Sequence, residues 1–119
     1  MVKAVDDLLL DGGLDAIDGC VLLSVCSAQP ANKAGVAAVT LASVAISGVD
    51  FTKANGDTSG RKLTVAQQAA ISIASSGTAT HVVIDDLTSI YVTTCTSQAL
   101  TSGGTVTVPA WDIEFADPV

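Results

Sequence analysis

Aromatic rings are scarce in this chain, with one Trp, one Tyr and two Phe among 119 residues. Positive charge is scarce as well: five Lys and Arg stand against twelve Asp and Glu, for a net charge of -7. Nucleic-acid binding calls for a basic stripe with stacking rings, and an anionic membrane surface repels an acidic chain, so the reading is no nucleic acid and no membrane. A single His and three Cys leave little material for catalysis or metal binding.

No leader is expected either. Met1 to Gly19 carries Asp6, Asp7, Asp11, Asp15 and Asp18 against Lys3 alone, the wrong sign for a signal peptide. Leu23-Ser24-Val25-Cys26 resembles a lipoprotein cleavage box only faintly, since Cys20 to Val25 is too short an apolar run and Val25 is bulky where a small residue belongs. The charge-free stretch Ala34 to Val49 falls short of the roughly 20 apolar residues of a membrane span. The chain therefore reads as soluble and made in the cytosol. Cys20, Cys26 and Cys95 cannot all pair within one chain and include no CxxC, so they read as buried thiols packed as hydrophobes. No cofactor and no metal is predicted.

What is present is apolar and β-prone. Leu, Ile, Val and Phe fill 34 of 119 positions, enough to close one core, and the length suits one domain. Val2, Val5, Leu8 and Leu9 recur at helical spacing opposite Asp6, Asp7 and Asp11, and Leu14 and Ile17 extend the stripe. An amphipathic helix is expected over residues 3 to about 17, weakened in its middle by Gly12-Gly13. The division is thus an N-terminal helix in residues 1–18 and a β-sandwich in residues 19–119.

Cys20 to Cys26 is apolar on both faces and predicts a central strand. Ala28 to Gly35, with Pro30, Asn32 and Gly35, reads as a loop. Val36 to Phe51 reads as a strand that needs a bulge near Ala42-Ser43, because Val39 and Leu41 differ in parity from Val44 and Ile46. Asn55-Gly56 and Ser59-Gly60 predict two reversals around Asp57. Leu63, Val65, Ala69, Ile71 and Ile73 then alternate as one strand face. His81 to Ile84, Ile90 to Thr96 and the strands around Ser102-Gly103-Gly104 and Pro109-Ala110 complete the count. Seven or eight short strands with Gly-containing turns make a mainly β protein, an antiparallel β-sandwich of jelly-roll-like type.

Motifs with chemistry fail one by one. Gly56 to Leu63 imitates a phosphate loop, but the glycine spacing is one short, Arg61 stands for the lysine and Leu63 for the hydroxyl. His81 has no serine elbow to activate. Asp112 and Glu114 share one strand face, as a glycosidase pair would, yet a solvated face explains them equally. Asp57, Asp85 and Asp86 lack calcium-loop spacing and read as turn residues. No catalytic residue is assigned.

Charge distribution says more. Residues 1–18 carry -4, residues 19–80 carry +2 and residues 81–119 carry -5. Only 14% of residues are charged and the mean hydropathy is +0.54, a surface poorer in charge than a free monomer usually shows. Lys53, Arg61 and Lys62 flank the Asp57 turns and are the candidate partner-binding residues, expected to project from the sandwich toward an acidic surface.

Asp57-Thr58-Ser59-Gly60-Arg61-Lys62-Leu63-Thr64-Val65, Gly77-Thr78-Ala79-Thr80-His81-Val82-Val83, Val92 to Gln98, and Trp111-Asp112-Ile113-Glu114 with Asp117-Pro118 follow one another in this order. The series resembles a family of small virion-associated proteins of tailed bacteriophages and prophages, and the likeness covers nearly the whole chain. It implies a non-enzymatic structural protein of the virion, a head decoration or cement protein on the outside of the capsid lattice. The implied partners are the major capsid protein or other virion proteins, with homo-oligomers in the particle. A neck or tail protein, a glycan-binding module and a small hydrolase are the alternatives.

Overall fold

The computed structural model describes residues 6–57 and 59–115. It is mainly β, with antiparallel pairing throughout, as the alternation predicts. A helix α1 (Asp7–Asp18) is followed by β1 (Leu22–Cys26), a second helix α2 (Lys33–Val39), β2 (Thr40–Ala45) and a single 3-10 turn at Gly48–Asp50. Then come β3 (Phe51–Asn55), β4 (Arg61–Val65), β5 (Gln68–Ser72), β6 (Gly77–Asp85), β7 (Ile90–Leu100), β8 (Thr105–Val108) and β9 (Trp111–Phe115). Three sheets result, ordered β2-β1-β6-β7, β3-β4-β9 and β5-β8.

The expected central strand is central. β1 lies between β2 and β6, and Leu23 and Val25 enter the main core with Leu63, Val65, Ile84 and Ile113. Its opposite face is covered too, because Cys26 joins Val83 and Val36 in a smaller cluster beneath α2. Burial on both faces is what an unbroken apolar run demands.

Several expectations are corrected. Lys33–Val39 is a helix, where Ala28 to Gly35 read as loop and Val36 onward as strand. Asn32 caps it, its side chain accepting from the Gly35 N–H at 3.0 Å. The expected bulge exists but lies at Leu41, since Val25 and Cys26 oppose Ala42 and Thr40; Leu41 and Ala42 can therefore both be buried. The long alternation from Leu63 to Ile73 is two strands in two sheets. The chain breaks at Ala66-Gln67, and Ala70 at φ 56° throws Ala69 outward. Instead of two reversals, one loop closed by Gly56 N–H donating to the Gly60 carbonyl at 2.9 Å joins β3 to β4. Gly56 is obligatory there, because a Cβ would lie 2.0 Å from the Ser59 carbonyl oxygen.

The N-terminal helix is shorter and docks differently. Val2 and Val5 lie outside the described residues, and Leu8 and Leu9 are 80% and 70% exposed. Docking runs through the C-terminal half: Leu14 is fully buried, Ile17 packs beside it, and Gly13 admits the Phe115 ring so closely that an added Cβ would meet it at 2.4 Å.

Candidate interaction surface

Lys53 leaves β3, and Arg61 and Lys62 leave β4, on neighbouring strands whose register sets Asn55 against Arg61 and Lys53 against Leu63. The three do not project as expected. Lys53 pairs with Asp15 and Arg61 Nε with Asp11 Oδ1 at 2.9 Å, so both lie on the core-facing side of this sheet, the side of Leu63 and Val65, where the acidic helix α1 covers them. Lys62 Nζ binds Asp57 Oδ1 at 2.7 Å and lies 3.6 Å from Asp112 Oδ2. The hydrogen bond to Asp15 holds the Lys53 ammonium above its ordinary pKa, and that to Asp57 does the same for Lys62. A partner reaching these cations meets carboxylates of the same chain first.

The other candidates are equally occupied. Asp112 and Glu114 share the outer face of β9, as the alternation predicts. The Thr64 hydroxyl donates to Asp112 Oδ1 at 2.6 Å and, with Lys62, holds that carboxyl below its ordinary range. Asp86 is a turn residue whose carboxylate accepts the Ser89 and Thr88 N–H groups, which lowers its pKa. His81 Nδ1 lies 2.8 Å from the Thr80 hydroxyl. Among the described residues no group of three or more His, Cys, Asp or Glu is placed to hold a metal ion.

Two of the cysteines behave as read. Cys20 and Cys26 are buried, and burial, then Asp86 and Asp85, pushes the Cys20 thiol up to about 11. Cys95 corrects the reading, for it is exposed on β7, although its neighbours shelter the sulfur enough to raise the thiol above its ordinary value.

Sequence reasoning missed a buried carboxyl group. Asp85 is fully buried at the end of β6; its Oδ1 accepts the Leu87 N–H at 2.9 Å, and Oδ2 faces Lys33 Nζ at 3.8 Å. Lys33 lies at the first turn of α2 beside a cleft of about 310 Å³, lined also by Ser24, whose buried hydroxyl has no partner among the described residues. With α2 unread, nothing placed Lys33 over β6. The Asn32 cap was the available signal.

The second missed feature is an open seam. The isolated bridge Ala42 to Ile73 joins the β2 side of the four-stranded sheet to β5-β8, so a curled sheet runs from β7 round to β8. The turn Thr101–Gly104 connects β7 to β8 directly, yet these two strands do not pair with each other. Between them lie adjoining hollows of about 250 and 340 Å³, with Val82, Cys95, Thr96, Val108 and Pro109 common to both. No protein family, curated protein or solved structure matches the chain.

Proposed function

We propose that the protein is a non-enzymatic structural component of a tailed-phage particle, a decoration or cement protein bound to the outside of the capsid lattice and contacting the major capsid protein. The resemblance of its ordered sequence blocks supports this reading. One geometric observation carries it further: each of the four Lys and Arg side chains among the described residues is ion-paired with an acid of its own chain. With the cations so engaged and Asp6, Asp86 and Glu114 exposed, the uncharged surface offered to a partner is the exposed β7 stretch Thr94 to Ala99. Such a surface attaches by backbone and small-side-chain contacts, many weak copies acting together on a repeating lattice.

Neutral attachment predicts salt resistance, because screening weakens exposed ion pairs and leaves apolar contact intact. Particles produced without the protein should bind purified chain in co-sedimentation equally at low salt and at about 1 M, where the screening length falls to roughly 3 Å. Failure to co-sediment at either salt contradicts the reading. Release at high salt alone contradicts the neutral mode of attachment and restores Lys53, Arg61 and Lys62 as direct contacts.

A further inference from the structure

An asparagine followed by glycine is a chemically labile pair, because glycine has no side chain to keep its backbone nitrogen away from the neighbouring amide carbon. Asn32 and Asn55 are the asparagines of this chain, and Asn55 alone precedes a glycine. Asn32 is followed by Lys33 and is committed to the cap of α2, its side chain accepting the Gly35 N–H at 3.0 Å. Asn55 is differently placed. It stands exposed at the end of β3, and Arg61 Nη1 donates to its Oδ1 at 2.9 Å. A guanidinium has no acceptor, so this bond turns the amide carbonyl toward positive charge and its NH2 toward solvent. The next nitrogen, that of Gly56, donates to the Gly60 carbonyl at 2.9 Å. Against Gly56 lies Glu114 Oε1, so close that a Cβ added to the glycine would meet it at 2.4 Å. The groups lie on opposite faces of the sheet: Asn55 is in register with Arg61 on the side of Leu63 and Val65, whereas Glu114 is in register with Lys62 on the other. The Gly56 nitrogen sits between them.

We propose that Asn55 is a self-modifying site, deamidated in the folded chain with Arg61 drawing charge from its carbonyl and Glu114 taking the Gly56 amide proton. The Gly56 N–H leaves the Gly60 carbonyl and turns toward Glu114. Deprotonated from that face, the nitrogen attacks Asn55 Cγ from the other, and the charge that gathers on Oδ1 lies beside the guanidinium. The new N–Cγ bond closes a succinimide ring, the Cγ–Nδ2 bond breaks, and ammonia leaves with the proton that Glu114 held. Water then opens the ring at one of its two carbonyls. Hydrolysis on the Cγ side restores the backbone and leaves an aspartate; hydrolysis on the other side leaves an isoaspartate, whose main chain is longer by one methylene. Nothing is oxidised or reduced. The aspartate product sets a second carboxylate on Arg61, which already binds Asp11 of α1 through Nε, and this replaces a neutral acceptor with a charge-assisted bond. The isoaspartate product displaces Gly56 from Gly60 and opens the β3–β4 loop.

The reaction is a property of the purified chain and stands apart from the particle reading. Peptide mapping by mass spectrometry, after the folded protein is held in mildly alkaline buffer, should show a gain of about one dalton at Asn55 and none at Asn32. Glu114 is exposed, and Lys62 pairs with Asp57 and Asp112 in its place, so Glu114→Gln should leave the melting temperature unchanged. The same substitution should slow the gain at Asn55 roughly tenfold, the low end for loss of a general base because solvent hydroxide competes. Glu114→Asp, which withdraws the carboxylate by one methylene, should fall between. In strong denaturant all three proteins should convert at one rate, since Asn55 and Gly56 are unchanged and the fold no longer sets their neighbours. A folded parent that gains nothing at Asn55 in the time its denatured form converts overturns the proposal. So does a folded Glu114→Gln protein that converts as fast as the parent, or a difference between the two that persists in denaturant.

Discussion

Asp85 shows how one residue's setting departs from its local sequence. Beside Asp86 it reads as half of an ordinary acidic turn, and Asp86 fulfils that reading with its carboxylate on backbone N–H groups. Asp85 instead points inward, where ionisation without a counter-charge costs several kcal/mol. Lys33 supplies that charge from a distance of 3.8 Å. Lys33→Ala should therefore destabilise the fold by about 1–2 kcal/mol in denaturant titration, and Asp85→Asn in the same background should return part of the loss. Equal stability of Lys33→Ala and parent would remove Lys33 from this role.

The thiols give a second residue-scale test, with a pH sign. Cys20 is held up to about 11 by burial, from an ordinary 9.0, so its neutral form is favoured in the folded chain. The unfolded thiol ionises first, and stability falls as pH rises from 9.0 through about 11. The raised Lys53 and Lys62 add to the same alkaline loss, their ion pairs being complete below the ordinary 10.5 and lost above it. Asp112 and Asp86, both depressed, act oppositely: their contribution is present above the ordinary 3.8 and lost as pH falls below it. A plateau from about pH 5 to 8.5 should result, and Cys20→Ala should flatten the alkaline limb. Under native conditions iodoacetamide should label Cys95 alone, more readily as pH rises, and all three cysteines after unfolding.

At the scale of elements, α1 separates what was legible from what was not. Its helical period was visible, but its docking was not, because the decisive contacts are with β3, β4 and Phe115 far along the chain. The two central glycines now have different meanings. Gly12 faces open space, and Gly12→Ala should stabilise by about 0.5–1 kcal/mol, the usual helix-interior gain. Gly13→Ala must displace the Phe115 ring and should give no gain or a loss. Arg61→Glu with Lys62→Glu sets carboxylates against Asp11, Asp57 and Asp112, so α1 should loosen and the melting temperature should fall. Adding Asp11→Arg should recover much of that fall; its failure to do so would show that the island does not hold the helix. α2 escaped the sequence for a plain reason. Lys-Ala-Gly-Val-Ala-Ala-Val has one buried side chain, Val36, and thus no apolar period to detect.

At the scale of the whole molecule, alternation reports which face of a strand is buried and says nothing about which sheet it joins. Leu63, Val65, Ile71 and Ile73 keep one parity and are all buried, yet the chain changes sheet between Val65 and Gln68. The same blindness hid the seam, since the turn chemistry of Ser102-Gly103-Gly104 is that of a hairpin, with Gly103 at φ 90°, while the strands it joins diverge. Antiparallel β architecture was therefore readable from residues, and the seam between β7 and β8 was not. The central claim, that this protein is a stoichiometric part of a phage particle, is tested most directly by quantitative mass spectrometry of gradient-purified particles from a host encoding it. The account predicts the chain in the particle fraction at a copy number comparable to the major capsid protein. Its absence from particles, with abundant free chain in the same lysate, would contradict the account.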